Sequence, residues 1–385
     1  MKVAVYDLYW STLGGGEQVD GTIAQVLAAA GHDVTLLGPE VPDVERTRQR
    51  LGVDLAACGY QRVTDDLEAS AASADYDLFV NGTYLSTAIN RAAEGWYYVH
   101  FPGIPMTRAQ QIRNRAFMGV VKAFGRPDRL PEGLREWQAI VDRRIVRTPH
   151  LGSYRRYLAN SQFTARWVTR IWGVPSDVLY PPVRPTIAPG DKRSLILSVG
   201  RFFDPVHGHC KKQLELAEAF GELHRSGRAE GWELALVGGA SAADRDYVLS
   251  VRRAAQGLPI TVRPNAPGRE VEELFAQASI FWHAGGFGED PERHPERFEH
   301  FGIALIEAMA AGAVPVVFGA AGPAEIVRDG VDGVQWQRPD GLVEATVELV
   351  AEPDRRAAMS ASSIIRAKDF SATAFAERLT GLLPS

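Results

Sequence analysis

The sequence predicts an α/β protein of two domains, each built on an open parallel sheet. Three observations carry this prediction. Short strand-like apolar runs recur with loops and helices between them, beginning with a strand–loop–helix–strand unit over Val3 to Leu37. The chain has 385 residues, enough for two separate cores. Prolines from Pro181 to Pro189 can continue neither a helix nor a central strand, so the interdomain linker falls there.

In the first half, Val3 to Asp7 reads as a buried parallel strand. Thr12-Leu-Gly-Gly-Gly-Glu17 follows as a loop entering a helix that runs through about Ala30, with Gly31 as its cap and Val34 to Leu37 as the next strand. The loop is not the Gly-x-Gly-x-x-Gly dinucleotide fingerprint, because Glu17 and Gln18 occupy the positions after the glycines. Glu40, placed like a ribose-binding acid after the second strand, keeps a nicotinamide dehydrogenase as a rival. Asp77 to Val80 and Trp96 to Val99 are two further strands. His100 follows the second, beyond a strand's carboxyl end, where open parallel sheets gather ligands. A histidine there is either catalytic or structural.

Residues 101 to 170 hold fourteen Lys/Arg against four Asp/Glu. Such a block is either a solvated face or a surface for anionic membrane, phosphate-bearing acceptors or nucleic acid. Arg108, Lys122, Arg126, Arg143, Arg144 and Arg147, with Ile112, Phe117, Val120 and Val121, could form a membrane-facing helix or a plain surface one.

In the second half, Leu195 to Val199 is a strand ending in Gly200-Arg201. Glu233 to Val237 with Gly238-Gly239 is a strand and turn, Ile260-Thr-Val-Arg263-Pro-Asn265 another, and Ala266 to Ala278 a helix before the strand at Ile280. A polar insertion from Gly285 to Phe298 reads as a loop over a site. Then Glu299-His-Phe-Gly-Ile-Ala-Leu-Ile-Glu307-Ala-Met-Ala-Ala-Gly312 sets two carboxylates eight positions apart around Phe301 and Gly302. A helix starting near Gly302 would offer bare N–H groups and a dipole that favours an anion such as phosphate. Glu299 before it and Glu307 on its second turn could hold two ends of one ligand. The plainer alternative is a buried helix with two satisfied carboxylates. The last unit ends near Trp336, and helices follow over Gly341 to Val350, Asp354 to about Lys368, and Ala372 to Leu383.

Composition is that of a globular protein, 45% hydrophobic and 23% charged with net charge −5. Cys58 and Cys210 imply no disulfide framework and suit a reducing compartment. The opening strand leaves no room for a signal peptide, and no apolar run nears the ~20 residues of a membrane span, so a soluble, cytoplasmic enzyme is expected. Asp75-Tyr-Asp77 and Asp244-Arg-Asp246 are misplaced for a metal-binding pair, the first preceding its strand and the second lying in a first helical turn. His207-Gly-His209-Cys210 lacks the spaced ligand pairs of a zinc site.

Glu-x7-Glu with its internal Phe-Gly, then Glu-Ala-Met-Ala-x-Gly and Val314-Pro-Val-Val-Phe318, resembles the nucleotide-sugar site of glycosyltransferase family 4. Ile280-Phe-Trp-His283 before it and Gly319 to Val327 after it fit as well. The resemblance implies the GT-B fold, two Rossmann-like doubly wound domains facing a central cleft. The expected boundaries are 1–180, a linker at 181–190, then 191–368, with a final helix in 369–385 crossing back to the first domain. It implies a retaining, metal-independent transfer of a hexosyl group from a nucleotide-diphosphate sugar to an acceptor hydroxyl. The leaving diphosphate would take the acceptor's proton in a front-face reaction, with no covalent intermediate. No cofactor beyond the GDP- or UDP-linked donor is expected.

The resemblance also distributes roles. Glu307 holds the ribose hydroxyls; Glu299 contacts the sugar or its pyrophosphate, with the backbone from Phe301 through Gly302, Ile303 and Ala304. Arg201 and Lys211 or Lys212 neutralise the leaving diphosphate; counting back from Ala219-Phe220 favours Lys211. Gly15, Gly16 and Glu17 lie beside the donor phosphates and the acceptor, and His100 faces the transferred sugar. Gly238 forms a phosphate-side turn, and Arg263 and Asn265 belong to the segment whose backbone meets the nucleobase. Glu-His-Phe-Gly, Asn265-Ala266 and Tyr97-Tyr-Val-His-Phe-Pro102 resemble branches that use guanosine-linked mannose and lipid-linked acceptors, and branches with uridine donors share most of these residues, so a mannosyl or glucosyl group is expected. The acceptor is a saccharide, a lipid-linked saccharide or a natural-product core, and nucleic acid is not expected as a partner. Peripheral membrane contact would run through the basic block. An epimerase or hydrolase on the same fold, or an inactive sugar-nucleotide-binding protein, are the alternatives.

Overall fold

The computed structural model describes residues 1–103, 150–183, 187–205 and 209–383. Most of the basic block, from Arg108 to Arg147, lies outside the described residues, as does His207. The chain divides into two units, Met1–Asn160 with Thr164–Leu179, and Ser161–Phe163 with Tyr180–Ser385.

The first unit is organised by seven parallel strands: β1 (Lys2–Tyr6), β2 (Asp33–Gly38), β3 (Gly59–Arg62), β4 (Leu78–Asn81), β5 (Glu94–Val99), β6 (Arg156–Ala159) and β7 (Asp177–Val178). Their spatial order is β3-β2-β1-β4-β5-β6-β7. β1 and β4 are buried on both faces, which is why Val3 to Tyr6 and Leu78 to Val80 are continuous apolar runs rather than alternating ones. Val3 pairs with Val34 on one side and Leu78 on the other. The order reverses between β1 and β4, so the crevice beyond their carboxyl ends is the place for a ligand. Stacked rings of Tyr6, Phe79 and Tyr154, with Tyr97 tilted against Tyr154, fill the layer beneath.

The second unit repeats the plan with β8 (Arg193–Val199), β9 (Glu233–Gly238), β10 (Ile260–Pro264), β11 (Ala278–His283), β12 (Val314–Phe318) and β13 (Val334–Trp336). The order β10-β9-β8-β11-β12-β13 puts its reversal between β8 and β11. Strand period 2 divides the core: Ile196, Leu234, Leu236, Ile280 and Trp282 pack on one face, and Leu197, Ala235, Val237 and Phe281 on the other.

Helix bounds follow the sequence closely. The helix expected to start near Gly302 spans Ile303–Ala310, and the last helices span Pro339–Ala351, Pro353–Ala367 and Ala372–Gly381. Ala372–Gly381, expected to cross back to the first domain, groups with the second unit, where the Arg378 guanidinium lies 5.4 Å from the Tyr180 ring centre. Val183, inside the stretch read as linker, is buried and donates its N–H to Phe370 O at 2.8 Å. The Glu325 carboxylate accepts from Gln162 N at 2.9 Å, tying Ser161–Phe163 into this unit. Among the described residues no helix is long and apolar enough to cross a membrane.

Candidate active site

In the second unit the candidate residues gather where the strands end. β8 runs into Gly200-Arg201, and the stem of Lys211 crosses directly over Gly200; a Cβ there would sit 2.5 Å from Lys211 Cγ. The Gln213 amide donates to Gly200 O at 3.0 Å and Arg201 O at 3.1 Å, fixing the turn that carries Arg201. Gln213 is itself held by the Tyr247 hydroxyl at 3.1 Å. The Arg201 guanidinium is exposed, 4.1 Å from the Phe203 ring centre, and no ion pair engages it among the described residues. Gly238 ends β9 so close to this turn that a Cβ would lie 1.9 Å from Gly200 O.

The two lysines part company. Lys211 Nζ meets the Glu299 carboxylate and lies 3.1 Å from His209 Nε2. Lys212 instead has a left-handed backbone (φ 60°) and a buried ammonium 2.8 Å from Glu289, which also accepts from Arg297 at 3.1 Å. Lys212 is therefore committed to the polar insertion, and Lys211 alone of the pair reaches the cluster around Glu299.

Glu299 is mostly buried, and His283, at the end of β11, sits 3.2 Å from the same oxygen. Burial opposes ionisation of Glu299, but the Lys211 ammonium and the bond from His283 outweigh it and hold the carboxyl well below its usual range. Burial pushes His209 down to about 4 and His300 to about 3, so both rings are neutral at pH 7. Three residues on, Gly302 takes φ 116°, a left-handed value that suits only glycine, and aims the first turn of Ile303–Ala310. The first-turn N–H groups at Ile303 and Ala304 are those the sequence reading offers to an anion. The Phe301 ring packs into the core, stacking on Tyr180 with centroids 5.9 Å apart, which leaves the expectation for its backbone untouched.

Glu307 stands on the second turn of that helix, partly buried and without a donor among the described residues. Burial alone raises its carboxyl to about 7. Asn265 adopts φ 56°, and its side chain exchanges two 2.9 Å hydrogen bonds with the backbone of Ala240, so it braces the Gly238–Ala240 turn. Arg263 is exposed and pairs with Glu270 at 3.4 Å.

In the first unit a cavity of about 300 Å³ opens beyond the carboxyl ends of β1, β4 and β5. Gly15, Gly16, Glu17 and His100 all line it, together with Asp7 and Tyr84. His100 donates its Nε2 proton to Gly82 O at 3.0 Å, and its burial lowers its basicity, leaving a neutral ring with Nδ1 as acceptor. A Cβ at Gly16 would lie 3.5 Å from that ring, so histidine and glycine loop are in register. The Glu17 carboxylate turns back to accept from Gly14 N.

Reasoning from the sequence missed His283, His209, Gln213 and Asp7. Strand-end position was the available signal for Asp7 and His283, which follow β1 and close β11. For Gln213 no local signal existed. No group of three or more His, Cys, Asp or Glu suited to a metal ion occurs among the described residues.

Two Rossmann-like parallel-sheet units, the second carrying this Lys–Glu–His cluster beside a glycine-led helix, define the GT-B fold. Residues 183–365 match the model of the family Glycosyl transferases group 1. The chain is 29% identical over 223 residues to a GDP-Man:Man(3)GlcNAc(2)-PP-Dol alpha-1,2-mannosyltransferase of Dictyostelium discoideum, covering 52% of this chain and 40% of that one. It is 25% identical over 310 residues to alpha-1,3/1,6-mannosyltransferase ALG2 of Homo sapiens, covering 74% and 66%. The chain thus spans under two thirds of each curated relative's length. Among solved structures, Anabaena Alr3699/HepE in complex with UDP superposes with a TM-score of 0.69 at 15% identity, over 99% of both chains.

Proposed function

We propose that this protein is a retaining glycosyltransferase that moves a hexosyl group, mannose by preference, from a nucleotide-diphosphate sugar to an acceptor hydroxyl. The observation that carries the reading is the spacing of charge in the second unit. Glu307 is a carboxylate with no donor of its own among the described residues, the exposed Arg201 follows β8, and the Lys211–Glu299 pair meets His283 at the end of β11, the strand beside it. A nucleotide sugar needs these chemistries: a carboxylate for the ribose diol, and cations with bare N–H groups for the diphosphate.

Arg201 and Lys211 would take up the negative charge that grows on the departing diphosphate, the work a divalent cation does elsewhere. Glu299, kept ionised by Lys211 and His283, would orient a hydroxyl of the transferred sugar. The acceptor oxygen would attack on the face from which the diphosphate leaves, passing its proton to the leaving phosphate, so that configuration is retained. The first unit, with neutral His100 beside its glycine loop, would present the acceptor. The name of the Dictyostelium relative favours a GDP-mannose donor and a dolichol-linked saccharide acceptor, and that of the human relative favours a mannosyl group. Contact with the membrane face through the basic block is part of the same proposal.

Nucleotide release from GDP-mannose, followed by NMR of the anomeric protons with EDTA present, tests it. Release that accelerates on adding a mannoside, with an α-linked product, is the expected result. Equal release with and without acceptor would make the protein a hydrolase, and a product of inverted configuration would remove the front-face mechanism.

A further inference from the structure

The mechanism gives His209 no task, although it lies two residues before the lysine that the mechanism uses. The residue between them sets how the two meet. Cys210 is 1% exposed, accepts from Lys212 N at 3.2 Å and donates to the Tyr247 hydroxyl at 3.4 Å. Its side chain is spent in the core, and its two neighbours meet on the other side, with His209 Nε2 3.1 Å from Lys211 Nζ. The His209 ring also leans on the ring of His300, centroids 5.9 Å apart, which restricts its rotation. An ammonium has three N–H donors and no lone pair, so the imidazole nitrogen facing it must be the unprotonated one. His209 is then a neutral ring with its proton on Nδ1. Burial, then the charge of Lys211, favours that state by lowering its pKa to about 4.

Lys211 therefore stands between two acceptors. Glu299 takes one N–H through Oε2, the oxygen that His283 also meets at 3.2 Å, and His209 takes another. The lysine stem is pinned where it crosses Gly200, since a Cβ there would sit 2.5 Å from Lys211 Cγ. No third acceptor meets the ammonium among the described residues. Two bonds at tetrahedral angles fix the direction of the third N–H. Without His209 a single bond would hold the group. It would be free to turn about that bond, or to swing onto Glu299 Oε1, which accepts nothing among the described residues. A lysine closed on both carboxylate oxygens has less to offer an incoming anion.

We propose that His209 is a positioning residue for diphosphate binding: its Nε2 keeps Lys211 from closing on Glu299 and turns the third N–H of the ammonium toward a diphosphate oxygen. It acts through the lysine and need not touch the ligand. This role rests on the glycosyl-transfer reading, which supplies the diphosphate.

The test uses the intact chain in titration calorimetry, with GDP against guanosine and UDP against uridine as probes. His209→Leu should weaken the diphosphate that binds the parent by about tenfold and leave its nucleoside within about twofold. His209→Gln, which keeps a side-chain acceptor, should recover most of that loss. In the Lys211→Met/Glu299→Gln background His209→Leu should cost the diphosphate nothing more, because the lysine it aims is gone. Imidazole nitrogen NMR at neutral pH should show an Nδ1–H tautomer that disappears in His209→Gln. The role is refuted if His209→Leu binds the diphosphate like the parent, weakens nucleoside and diphosphate alike, or costs as much in the double-variant background. An Nε2–H tautomer at His209 also refutes it. Should the leucine variant not fold, the other two readouts decide: near-parental diphosphate binding by His209→Gln with the Nδ1–H tautomer supports the role, and failure of either refutes it. A parent that binds neither diphosphate ends the transferase reading and this role with it, whereas a parent that binds one while the variants fail these expectations ends this role alone.

Discussion

Replacing Glu307 by glutamine removes a carboxylate whose ionisation the second unit resists. Burial displaces its pKa from 4.5 to about 7, which corresponds to about 3 kcal/mol against the ionised form once the pH exceeds both values. The sign follows from linkage: the folded state holds the proton more tightly than the unfolded chain, so stability falls as pH rises from 4.5 through about 7. Glu307→Gln should therefore change little near pH 5 and raise the ligand-free melting temperature near pH 8 by several degrees. The ribose diol would donate two bonds to the ionised carboxylate, each worth about 1.5–3 kcal/mol, so the variant should lose at least about tenfold in nucleotide affinity. Thermal unfolding at the two pH values, with and without GDP, reads both effects together. A variant that is less stable than the parent near pH 8, or that keeps the parent's response to GDP, would refute the reasoning.

Arg201→Ala should leave the melting temperature unchanged, because the guanidinium is exposed, yet weaken a nucleoside diphosphate about tenfold and the bare nucleoside hardly at all in titration calorimetry. Lys211→Met strands the buried Glu299 charge and should cost about 3–5 kcal/mol in denaturant unfolding, most of it recovered in the double variant Lys211→Met/Glu299→Gln. A double variant no more stable than the single one would mean the pair is not coupled. Gly238→Ala drives a methyl to within 1.9 Å of Gly200 O, so it should destabilise by about 1–3 kcal/mol or more and weaken nucleotide binding by displacing Arg201.

Much of this architecture was legible because parallel strands buried on both faces are continuous apolar runs, as Val3 to Tyr6 and Val314 to Phe318 are. β3 escaped notice because Gly59–Arg62 is an edge strand, mostly exposed and without an apolar run, and β7 has only two residues. The Glu299–Glu307 stretch could be read since its geometry is local: a glycine-led helix fixes Glu307 by its own period and leaves Glu299 in the loop three residues before its cap. Spacing favoured Lys211 over Lys212 without separating them, since a left-handed backbone that sends the second ammonium to Glu289 has no sequence signature. Asn265 carried a backbone role in the sequence, whereas its side chain is spent on Ala240.

The central claim is that the second unit binds a nucleoside diphosphate through Glu307, Arg201 and Lys211 without a metal. The most direct measurement is the melting of the intact chain against GDP, UDP, TDP and ADP, each in excess with EDTA present, since a ligand that binds only the folded state must raise its stability. A shift with GDP that exceeds the other three, and that Glu307→Gln and Arg201→Ala both abolish, is the expected result. No shift with any of the four would contradict the claim.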